Sequence, residues 1–116
     1  MKTAIWVTFQ VEGIHQWKDA TSYLRYPHRH MFHFRVELSV SHDDREVEFI
    51  ALKDTLLNMV SNRLLPKWSV KKSCEMLAKE VIVWMQAEYG DRDYVVEVSE
   101  DGENGAKVSS DCCTCR

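Results

Sequence analysis

The sequence predicts an α+β fold, an antiparallel sheet with two consecutive helices on one face, and three observations predict it. Ile5, Val7, Phe9 and Val11 alternate with Trp6, Thr8, Gln10 and Glu12, which is the period of a half-buried strand. The run from His30 to Val40 alternates the same way, with Phe32, Phe34, Val36, Leu38 and Val40 on one face and His33, Arg35, Glu37 and Ser39 on the other. From Phe49 the period becomes helical, and it returns to strand-like only at Tyr94-Val95-Val96-Glu97-Val98. Strands at both ends and two helices between them give the order ββααββ.

Each element has its own signals. The first strand is expected to end at Gly13, and a polar stretch without either period follows to Pro27. A loop of that length in a compact domain is usually functional or mobile. The second strand starts near His28. Asp43-Asp44 marks a turn, and Arg45 to Phe49 reads as a short extra strand or the tail of a long bent hairpin. Phe49, Leu52, Leu56, Met59, Val60 and Leu64 make one helical stripe, which Pro66 should stop. Ser73 is a good N-cap for a second helix, with Glu75 in its first turn. Leu77, Val81, Trp84 and Met85 form its apolar face, and Gly90 stands where a left-handed C-terminal residue belongs. Asp101-Gly102 and Asn104-Gly105 read as turn dipeptides before a short last strand, Ala106-Lys107-Val108.

The 116 residues make one domain, placed at 1–109, with a Cys-rich tail at 110–116. The formal net charge of -3, with no block of like charge, argues against phosphate-backbone binding, so no nucleic-acid partner is expected. No apolar run is long enough for a bilayer and no signal-peptide pattern opens the chain. A cytoplasmic protein is therefore expected. Cys112, Cys113 and Cys115 crowd together, unlike a spaced disulfide framework, and read as a frayed terminus, with metal binding as the alternative.

The chemistry concentrates at His28-Arg29-His30. Residues two apart share a strand face, so His28 and His30 project together at the rim of the apolar face. His15, just past the first strand, would stand opposite them across a hairpin. Three His with an open fourth position is a catalytic-type zinc arrangement. The alternative is that these are strand-edge polar residues with no ligand role. His33 faces the other side and His42 sits at a solvent-facing turn. Trp6, Trp17, Trp68 and Trp84 are expected in the core or an interface.

These segments resemble the 6-pyruvoyltetrahydropterin synthase and 6-carboxytetrahydropterin synthase family. That family has a Phe-containing strand followed by a His, then a Cys-x-x-x-His-Gly-His motif. Here Phe9 to His15 and His28-Arg29-His30-Met31-Phe32 are similar. Its Asp-Phe-x-x-Leu-Lys motif is matched by Glu48-Phe49-Ile50-Ala51-Leu52-Lys53, and its Pro-Thr-x-Glu-x-Leu-Ala by Ser73-Cys74-Glu75-Met76-Leu77-Ala78. The resemblance covers residues 5 to 108. It implies a tunnelling fold, whose subunits join sheets edge to edge into a barrel, as a trimer or hexamer. Closing a barrel would also remove exposed sheet edges. It further implies zinc on His15, His28 and His30, and Glu100 as the acid that grips a pterin ring. A carboxylate there could take the amino and ring N–H edge of a pterin or purine-like ligand; an ordinary solvated turn acid is the alternative.

The departures are equally specific. Leu24 stands where the family has its Cys, Arg29 replaces the Gly between the two His, and Asn62-Arg63-Leu64-Leu65-Pro66 holds no counterpart of the family's Asp-His pair. General acid–base groups contribute ~10²–10⁴-fold to rate. No catalytic residue is therefore assigned, with Asp19, Tyr23 and Tyr26 of the loop as remote substitutes. Three readings follow: a zinc-dependent lyase or hydrolase acting on a pterin or purine-like molecule, a zinc protein that holds such a ligand without turnover, or a structural oligomer with a vestigial His cluster.

Overall fold

The computed structural model describes residues 1–65 and 71–113, and not the side chain of His15. Pro66 and Trp68, with the roles expected of them, lie outside the described residues, as does Cys115. The described chain is α+β. Strand β1, Thr3–His15, and strand β2, His28–Val40, form a long antiparallel hairpin. Helix α1, Phe49–Met59, runs into a π-type turn at Val60–Leu64. Helix α2, Cys74–Tyr89, leads into β3, Tyr94–Glu100, and β4, Asn104–Ser110. The four strands lie in chain order, all neighbours antiparallel, and the sheet is open.

One face of the sheet carries the core. Val7, Phe9 and Val11 of β1, Phe32, Phe34, Val36 and Leu38 of β2, and Tyr94, Val96 and Val98 of β3 are buried together. Leu52, Leu56 and Met59 of α1, and Leu77, Val81 and Met85 of α2, pack into the same cluster, so both helices cover that face. Apolar burial at ~25 cal/mol per Å² is the main stabilising term here. Phe9 and Phe34 are register partners, and their rings stack at 5.0 Å. The Tyr94 hydroxyl donates to the Gly90 carbonyl at 2.6 Å, which ties the end of α2 to the start of β3.

Several expectations need correction. β1 does not end at Gly13; it continues to His15. Gly13 is needed for space: a Cβ there would stand 2.8 Å from Cε2 of Phe32 and 3.2 Å from Cδ2 of Leu65. Residues 45–48 form no strand. Arg45 has φ 54°, and Glu48 turns its carboxylate onto the amides of Ile50 and Ala51 as the N-cap of α1. Ser73 caps α2 as expected, its hydroxyl accepting from the Met76 amide. Gly90 has positive φ, 84°, but ψ of -161° takes it out of the left-handed helical region. Asp101 and Gly102 have φ of 58° and 71° and make the β3–β4 turn, closed by the Glu103 amide on the Glu100 carbonyl. Asn104-Gly105 is not a second turn but the beginning of β4. Of the tryptophans expected in the core or an interface, Trp6 and Trp17 are not in the core of this chain but exposed on its surface, the Trp6 ring lying under the Arg35 guanidinium. Trp84 is partly buried against the core. The described part of the tail is held down: Cys112 is buried, and its amide donates to Asp93 Oδ1. No described helix is long and apolar enough to cross a membrane.

Candidate metal centre

The extension of β1 past Gly13 decides the geometry of the rim. It pairs Gly13 with His30, and His15 with His28. Alternation puts positions 13, 15, 28 and 30 on the core side of the hairpin. The backbone register pairs residue 15 with residue 28, while the His15 side chain lies outside the described residues.

The His28 and His30 rings meet edge to face with centroids 4.7 Å apart, and His30 stands edge-on over Phe32. Each ring is oriented through Nδ1. His28 Nδ1 lies 2.8 Å from the carbonyl of Tyr26, and His30 Nδ1 lies 2.7 Å from Asp101 Oδ2. A carbonyl and an ionised carboxylate only accept, so both Nδ1 atoms carry the proton in these contacts. In the neutral rings Nε2 then carries the lone pair, and both Nε2 atoms are shielded from solvent. A Nδ1–H bonded to a carbonyl or carboxylate is the usual support of a His that ligates metal through Nε2.

Asp101 is the residue that sequence reasoning missed. Its carboxylate accepts from the Met31 amide at 2.9 Å as well as from His30, and its own amide donates to the Met31 carbonyl at 2.7 Å. These contacts extend the β2–β3 ladder by one step and hold the imidazole at the same time. The His30 contact, then the Met31 amide, keeps the Asp101 carboxyl below the ordinary carboxylate range. In the sequence Asp101 signalled only a turn.

Glu100 is drawn into the same cluster. It pairs with Phe32 in the ladder, and its Oε2 lies 3.4 Å from His30 Nε2. Beneath it, Cys74 opens α2 with its side chain buried. Burial, then the negative charge of Glu100 and Glu75, pushes this thiol up to about 11. Cys74 is therefore a protonated wall residue at neutral pH and no replacement for the Cys that the resemblance expects at Leu24. Leu24 itself sits half-buried in a single 3₁₀ turn, Tyr23–Arg25. That turn is strapped back by the Trp17 amide on the Leu24 carbonyl and by the Gln16 side chain on the Arg25 carbonyl. Tyr23 lays its ring edge-on to His28 at 5.8 Å. Lys18 of this loop lies against Lys71, whose ammonium it pushes below its ordinary value.

Other expected features fall elsewhere. Arg29, which stands where the resembling family has Gly, turns by alternation to the opposite face and pairs with Glu12 at 3.3 Å. His33 lines a separate cavity of about 830 Å³ together with Thr8, Gln10 and Arg35, away from His28 and His30. His42 is exposed at its turn. Among the described residues no three His, Cys, Asp or Glu side chains form a ready metal-binding group. Of the described donors, the two imidazoles with Nδ1 committed to acceptors are of a type that suits zinc through Nε2. Compared with known protein families and with curated protein sequences, the chain matches none.

Proposed function

We propose that this chain is a zinc protein of the pterin synthase type, working in the cytoplasm on a pterin or purine-like small molecule. His15, His28 and His30 hold the metal, and Glu100 meets the ring of the ligand. The observation that carries this reading is the matched orientation of His28 and His30. Both rings spend Nδ1–H on an acceptor and aim a shielded Nε2 into the rim of the core. Simple strand-edge decoration gives no reason for such paired second contacts.

Bound zinc would polarise a substrate oxygen and lower its pKa. The chain's own residues supply the rest of the site. Glu100 offers an acceptor pair to an amino and N–H edge. Tyr23 lies edge-on against His28, on a loop strapped back by the Trp17 and Gln16 contacts. The two long edge strands, β1 and β4, suit a homo-oligomeric trimer or hexamer that closes a barrel.

A second reading, binding without turnover, is favoured by Leu24 and by the protonated state of Cys74. Neither side chain takes a proton at neutral pH. The test is metal analysis of protein purified without chelators, followed by incubation with dihydroneopterin triphosphate. Stoichiometric zinc with new product supports the enzyme. Zinc with saturable binding and no product supports the binding protein. Protein without zinc, and unable to take it up, contradicts both.

A further inference from the structure

A hollow of about 450 Å³, within the size range of small-molecule sites, lies between the two helical segments. The π-type turn after α1 supplies one wall through Arg63 and Leu64, beside buried Met59. α2 supplies the other. Lys79, Val83 and Ala87 follow at four-residue spacing with Glu80 and Trp84 alongside, so the five share one side of the helix. None of the residues lining the hollow belongs to the cluster around His28 and His30. Its composition is uneven. Leu64 and Trp84 are half-buried there, and Val83 is 64% exposed. Among this apolar surface stand three cations, Arg63, Lys72 and Lys79, and one carboxylate, Glu80. That carboxylate is taken by Lys72 at 2.9 Å. Among the described residues neither Arg63 nor Lys79 has an ion-pair or side-chain hydrogen-bond partner. The surplus is positive on a chain whose net charge is -3. The backbone is unusual at the same place. The Leu65 amide reaches the Val60 carbonyl at 2.8 Å, five residues back, a wide turn that is rare in helices and recurs at functional sites.

We propose that this hollow binds a small organic anion with an apolar body, of the class of a medium-chain carboxylate. The body lies against Leu64, Val83 and Trp84, and covers apolar surface that water otherwise meets. The head group takes Arg63 from one wall and Lys79 from the other, while Lys72 and Glu80 keep their own pair. The two halves of the ligand are both required. A neutral apolar molecule leaves the two cations without a counter-charge, and a bare anion leaves the apolar wall wet. The site is independent of the zinc reading, since it shares no residue with it.

Calorimetric titration of the full chain with decanoate, decanol and acetate tests the proposal. Decanoate should bind at one saturable site, at least about 10-fold more tightly than decanol, which is the worth of one hydrogen bond to a charged group. Acetate should give no measurable binding. Arg63→Gln combined with Lys79→Gln, both at exposed positions, should cut decanoate affinity at least about 10-fold and leave decanol unchanged. Val83→Glu should weaken both ligands. Thermal melts check that the variants fold. No saturable decanoate binding, or equal decanoate affinity in the wild type and the double variant, overturns the proposal. Self-association that is lost in Val83→Glu and indifferent to decanoate also overturns it, and assigns the hollow to a second copy of the chain. Zinc enters none of these readouts, so failure here leaves the metal reading standing.

Discussion

The two ends of the β2–β3 pair each gather polar side chains, and they are built on different principles. At one end Arg92 reaches the Ser39 carbonyl and the Glu46 carboxylate, which also takes the Ser41 hydroxyl and amide. Asp93 joins through its amide on the Ser39 hydroxyl and its carboxylate under the Cys112 amide. The counter-charge of Glu46 is a permanent guanidinium, and the result fastens the segment after β2 to the start of β3. At the other end the partner that holds Asp101, and that Glu100 faces, is an imidazole. It turns positive only by taking up a proton or a cation. A cluster with its own fixed counter-charge serves the fold; one whose charge balance depends on what binds is suited to a ligand.

The largest expected contrast concerns the cysteines. Cys74 lies at the imidazole end, and its raised thiol holds the thiolate about 100-fold below that of an ordinary cysteine at neutral pH. Cys113 lies at the other end, exposed beside Asp91. Alkylation followed by peptide mass analysis should label Cys113 at least about 100-fold faster. Equal rates would show that the imidazole end is open and its wall mobile.

Next comes Asp101→Asn. The amide can still accept from Met31, but it presents an N–H to His30 and favours the tautomer with the proton on Nε2. Zinc affinity should fall by about 10–100-fold, with little change in the apo melting temperature. An unchanged affinity removes Asp101 from the account. The smallest effect is at the opposite end. The Ser41 and Arg92 contacts bring the Glu46 carboxyl from 4.5 to about 2. Its folded-state value is depressed, so its contribution is complete above about pH 4.5 and is lost as the pH falls toward 2. Glu46→Gln should flatten the fall of melting temperature across that window by a few degrees and leave zinc uptake at pH 7 unchanged. A loss of zinc affinity in this variant would mean that the two ends are coupled.

The fold was legible wherever one face of an element is buried. The alternation of β2 and the stripes of both helices follow from the core they enter, and Ser73 announces its cap. The failures share a cause: the deciding partner is distant in sequence. Gly13 resembled a strand end because the Phe32 ring that needs its space lies across the hairpin. Arg45 to Phe49 resembled a strand because Glu48 was read without the helix amides it caps. At the candidate site, spacing alone brought His28 and His30 together. It could not supply Asp101, which is 71 residues from the imidazole it orients. Nor did spacing show that Arg29 pairs with Glu12 across the other face.

Anomalous scattering at the zinc edge, from crystals of protein purified without chelators, tests the central claim most directly. A single peak about 2.0–2.2 Å from Nε2 of both His28 and His30, on the side where β1 delivers residue 15, is the expected result. Imidazoles in hydrogen-bond contact with protein or water alone, with no anomalous peak after soaking in zinc, would contradict it.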